Sequence, residues 1–109
     1  MKIFTHSPDD PLPDHTSLSN FVIDLCEKIN YEGELYSFDV WNPVKIKQRD
    51  LPKLYVDITE TFKTKIEALK CFESQQMAMV SLLWSVYSRA IINGIKSKHR
   101  FAERFHKIR

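Results

Sequence analysis

The spacing of apolar residues changes period along this chain, and that alternation constrains the fold more than any other feature. Leu18, Phe21, Val22, Leu25, Cys26 and Ile29 recur at steps of three and one, which draws a stripe along one side of an α-helix. Asp14 or Thr16 is placed to cap its start, and Asn30 with Gly33 to end it. Glu34 to Trp41 then alternates polar and apolar positions and is rich in aromatics, so a strand is expected until Asn42-Pro43 stops it. Lys45 to Arg49 reads as a loop or polar edge, and Leu54 to Ile58 as a second strand. Asp57 or Thr59 is placed to cap the next helix, Asp57 with Glu60 at capping-box-like spacing, and its buried face is Phe62, Ile66, Leu69 and Phe72. Another helix is expected from about Gln76 to Asn93, facing Val80, Leu83, Trp84, Tyr87 and Ile91 inward, with Gly94 beyond its end. Lys2 to Thr5 and the closing FAERFHKIR are short β-compatible or extended segments. Strands alternating with helices give an α/β layered fold, and 109 residues suit a single domain spanning 1–109. If the first strand is central in a parallel sheet, one edge is left unpaired, and either a partner covers it or part of the fold is absent.

Composition excludes more than it selects. Two glycines cannot build a phosphate-cradling loop. The longest apolar stretch, Met77 to Tyr87, is broken by Ser81 and Ser85 and falls short of the ~20 residues a membrane span needs. MKIFTHSPDD has no apolar core of a signal peptide, so a cytoplasmic protein is expected. Cys26 and Cys71 lie in helical patterns without C-x-x-C spacing and read as reduced core thiols. From Lys96 onward six basic residues face one acidic residue, a tail of +5 in a chain of +2. Such a tail can touch phosphates, but it lacks interleaved stacking aromatics, so it reads as a solvated end and nucleic-acid binding is disfavoured. His99 and His106 fall in that tail and are expected to be solvated. Trp41 and Trp84 read as packing residues, Asp57 as a helix cap, and Arg89 as a surface residue.

The chemistry is concentrated in T-H-S-P-D-D-P-L-P-D-H, residues Thr5 to His15, between a strand and a helix. A catalytic zinc takes three protein ligands and keeps one position for water. His15, with Asp14 and a carboxylate from Asp9 or Asp10, approaches that number. A Pro-rich loop is nevertheless not expected to fold three ligands onto one metal unaided.

That stretch resembles the T-H-S-P-N-D-x-H-P-D-H segment of the PIG-L/LmbE deacetylases, without insertion or deletion. Tyr36 to Pro43 is similar to the family's Y-E-V-W-x-P, and Val56 to Thr59 to its V-D-I-S. Lys65 to Gln75 is similar to K-x-E-A-L-x-x-Y-x-S-Q, and Phe101 to Phe105 to Y-A-E-x-F. The resemblance implies the C-terminal part of a Rossmann-like, three-layer α/β deacetylase that uses zinc to hydrolyse the acetamide of N-acetylglucosamine-type sugars or conjugates. It makes His15 a metal ligand and Asp14, the acidic residue beside it, the candidate catalytic residue. The family's A-H-P-D-D-E motif, which supplies two further ligands and the general base, is absent, and Leu12 replaces the first His of H-P-D-H. The chain alone is therefore expected to be inactive, and a second polypeptide or self-association is expected at the sheet edge. The alternative expectation is a non-catalytic interaction module that pairs through that edge.

Overall fold

The computed structural model describes residues 1–38, 51–71 and 76–109, with side chains from 83 onward in the last span. The expected strand residues through Trp41, the stop at Asn42-Pro43, the basic stretch Lys45 to Arg49, Phe72 and the Val80 side chain lie outside the described residues. The elements are β1 (Lys2–Thr5), α1 (Pro13–Lys28), β2 (Glu34–Phe38), β3 (Lys53–Asp57), α2 (Phe62–Lys70), α3 (Gln76–Ser97) and β4 (Ala102–Lys107). The fold is mixed α/β, with a four-stranded sheet ordered β1-β2-β4-β3 among the described residues. The chain divides into two compact units, Met1–Leu54 with Arg104–Arg109, and Tyr55–Glu103. No helix of the described residues is long and apolar enough to cross a membrane.

In the first unit β1 runs parallel to β2, with Lys2 opposite Glu34 and Thr5 opposite Ser37. Parallel neighbours need a crossover, and α1 supplies it. Strand β4 returns antiparallel to β2, pairing Ser37 with His106 and Phe38 with Phe105. Among the described residues the sheet is therefore mixed, with β1 at its edge. Residues directly opposite share a face. Leu35, Thr5, Ser37 and His106 are buried, so His106 is not the solvated tail residue its neighbourhood suggested. On the other face Phe4 stacks on Tyr36 at 5.5 Å and meets Phe105 edge-on at 4.9 Å.

Helix α1 leaves most of its apolar stripe uncovered. Its buried residues are Ser19 and Cys26, seven apart and so on one side of the helix, both small enough to allow close approach. Leu18, Phe21, Leu25 and Ile29 are exposed, Phe21 by 63%. Periodicity shows that a helix carries an apolar stripe; it does not show that the same chain covers it. The expected caps also change. Leu12 occupies the N-cap without a side-chain bond, and Pro13 opens the first turn, where its missing N–H costs nothing. At the other end Asn30 adopts φ 50°. Tyr31 N–H donates to Cys26 O and Asn30 N–H to Glu27 O, the pair of bonds of a Schellman motif.

The second unit has its own core of Ile58, Phe62, Ile66 and Ala90, joined by Leu69, Leu83, Val86 and Phe101. Phe62 stacks on Phe101 at 4.1 Å and makes a T-shaped contact with Tyr87 at 5.1 Å. The expected inward face of α3 holds for Leu83, but Trp84 is 72% exposed and Tyr87 and Ile91 are also exposed. The helix continues past Asn93 to Ser97, so Gly94 lies inside it. Lys98, at φ 62°, is the left-handed residue that ends it, with His99 N–H donating to Gly94 O and Lys98 N–H to Ile95 O. Gly94 serves close approach instead: a Cβ there would lie 2.6 Å from His99 O and 2.7 Å from Arg100 O. Cys26 is buried as expected, whereas Cys71 is exposed.

Candidate functional site

The loop from His6 to Leu12 leaves the end of β1 and is tied down by its own polar atoms. Asp9 N–H donates to Ser7 Oγ and Asp10 N–H to Ser7 O. Asp10 then anchors the helix start: its Oδ1 accepts from Leu12 N–H at 2.9 Å, and its carbonyl accepts from Thr16 Oγ1 at 2.8 Å. These bonds replace the cap expected from Asp14 or Thr16. Asp10 Oδ2 faces His15 Nδ1 at 3.1 Å. His15, in the first turn of α1, is thereby held by the loop, and its ring stacks on His6 at 3.9 Å between centroids and 10° between planes. The edge of His6 meets Phe38 at 5.6 Å.

Electrostatics follow from this packing. Burial pushes the Asp10 carboxyl up, but the Leu12 N–H and the His15 and His6 rings together outweigh it and hold Asp10 below its ordinary value. Its charged form is therefore the one the loop is built around.

The structure brings together His6, Asp10 and His15, with one potential ligand atom from each lying within 4.8 Å of the others. Two of these residues come from the loop and the third, His15, from α1. His15 belongs to the constellation; Asp14, on the exposed first turn of α1, does not. His6 and Asp10 were legible as residue types, but the i, i+5 contact between Asp10 and His15 depends on where the helix begins. A zinc with bonds of 2.0–2.1 Å sets its ligand atoms about 3.3 Å apart. The Asp10–His15 contact already has that spacing. Stacked imidazoles point their in-plane lone pairs side by side, so one ring must rotate before both meet one ion. Two imidazoles and one carboxylate are the donor types that a tetrahedral cation takes, and three such ligands would leave a fourth position.

In the second unit an open cleft of about 470 Å³ is lined by Asp57, Thr59, Thr61, Lys98, His99 and Arg100, among others. Asp57 does not cap α2, whose N-cap is Thr61; it accepts from Thr59 N–H and Thr59 Oγ1 and faces His99 Nδ1 at 3.4 Å. The Thr59 hydroxyl and N–H hold the Asp57 carboxyl below its usual range, with His99 adding a smaller pull in the same direction. His99 is thus paired as well as exposed. Acidic and basic groups balance around the cleft, which suits no single ligand charge.

Compared with known proteins, the chain matches no family model, no curated protein and no solved structure.

Proposed function

We propose that this chain is the C-terminal part of a cytoplasmic, zinc-dependent N-acetyl sugar deacetylase of the PIG-L/LmbE type, inactive without a second polypeptide. The observation that carries the reading is the fixing of His15 at the β1–α1 junction by Asp10 at 3.1 Å, within the motif that resembles the family's H-P-D-H. Zinc, if bound, would supply a more acidic water and a polarised amide carbonyl, and a carboxylate would be needed to take the proton. In this chain His15 would hold the metal, and Asp14 stands exposed next to it in sequence. Leu12 spends its N–H on Asp10, and its side chain has no donor for an oxyanion. One missing oxyanion donor costs about 10²–10³ in rate, and the general base has to come from elsewhere. The test is to isolate the chain with whatever copurifies from its own cells and measure zinc and acetate release from an N-acetylglucosamine conjugate. Zinc bound and acetate released, both lost in His15→Ala, support the reading. A complex with neither overturns it.

A second reading is a non-catalytic module that pairs with a second copy. The exposed row Leu18, Phe21, Leu25 and Ile29 on α1, beside the edge strand β1, favours it. An antiparallel copy of α1 would set Leu18 against Leu25 and Phe21 against Val22, and bring Asp14 near Lys28 of the other copy. A stable monomer by light scattering at high concentration removes this reading.

A further inference from the structure

We infer that His6, Asp10 and His15 form a self-contained site for one tetrahedral divalent cation of the zinc type, held by this chain without ligands from a second polypeptide. This rests on the deacetylase reading only in sharing His15. The ligand set differs, because two of its three members come from the loop that precedes α1.

Three observations support the site. The potential ligand atoms already lie within 4.8 Å of one another. The Asp10 Oδ2 to His15 Nδ1 contact, at 3.1 Å, is nearly the edge of a zinc tetrahedron, so an ion can take the place of the hydrogen that the pair shares. The carboxylate is also held in place beforehand: its second oxygen accepts from Leu12 N–H and its backbone carbonyl from the Thr16 hydroxyl. Binding therefore needs little more than rotation of the His6 ring out of its stack on His15. Two imidazoles and one carboxylate favour zinc, cobalt or nickel over magnesium and calcium, which prefer oxygen donors. Three ligands leave a fourth position for water, the arrangement of a catalytic rather than a structural site.

The test uses cobalt(II) as the probe on the purified, metal-free 109-residue chain. The expected result is one equivalent bound, with the intense d–d absorption of four-coordinate cobalt, displaced by zinc and not by magnesium. His6→Ala, Asp10→Asn and His15→Ala should each weaken binding by more than about 100-fold, beyond the 10- to 100-fold range of an outer-shell partner. Asp24→Asn, an exposed change elsewhere on α1, should leave it unchanged. A weak six-coordinate spectrum from the unsubstituted chain overturns the site whether or not the variants fold. So does an Asp10→Asn loss confined to the outer-shell range. Cobalt binding by the lone chain without acetate release by the native complex keeps the site and removes the deacetylase reading. Acetate release by the complex with no cobalt binding by the lone chain does the reverse.

Discussion

At the scale of single residues the structure separates positions that look alike in sequence. Ser19 is fully buried on α1, and its hydroxyl has no hydrogen-bond partner among the described residues. Removing a buried, unsatisfied hydroxyl is favourable, and Ala is the better helix former. Ser19→Ala should therefore raise stability by about 1 kcal/mol in a urea titration; a loss of that size would show that the hydroxyl has a role. Gly94 behaves in the opposite way. Its missing Cβ makes room for two backbone oxygens at 2.6 and 2.7 Å, and backbone cannot step aside as a side chain can. Gly94→Ala should cost about 1–3 kcal/mol as overpacking, despite the higher helix propensity of Ala. An unchanged urea midpoint would contradict the close approach of His99 and Arg100 to α3.

At the scale of elements, the contrast between α1 and α2 shows what hydrophobic periodicity measures. Both helices carry an apolar stripe. Phe62 and Ile66 on α2 are 4% and 5% exposed within the core of the second unit, whereas Phe21 on α1 is exposed. Ile66→Ala should cost about 2–5 kcal/mol, because it removes buried methylenes and leaves a cavity. Phe21→Ser should stay within about 0.5 kcal/mol for the folded monomer. Thermal unfolding of the two variants decides the matter, and equal losses would place the α1 stripe inside a core. The inward face expected for α2 is the buried one, whereas most of the α1 stripe, Cys26 apart, is not buried. On α2 the buried stripe coincides with its strongest apolar positions, and on α1 small residues take the buried side.

At the scale of the whole molecule, charge is the property that responds to conditions. The Asp57 carboxyl is held below its ordinary value by Thr59 and, to a lesser degree, His99. A carboxyl depressed in the folded state stabilises above its unfolded pKa of about 3.9, and that contribution disappears as pH falls through the lower folded value. Asp57→Asn should therefore lower stability at pH 7 and leave it nearly unchanged at pH 2, so its urea midpoint should vary less with acid than that of the parent chain. A constant offset between pH 7 and pH 2 would assign the loss to geometry instead of charge. The α/β class, the positions of most elements, Asn30 as the end of α1, and the concentration of ligand-type residues in Thr5–His15 were all legible without the fold. These follow from local rules: apolar period, the backbone permissiveness of Asn, and the density of ligand-type side chains. Tertiary structure decided which helix face is covered, that β4 runs antiparallel to β2 and buries His106, that Gly94 serves backbone contact, and that His6 and Asp10 join His15 where Asp14 does not. Each of these depends on where one backbone turns relative to another, and side-chain spacing along a sequence carries no record of that turn.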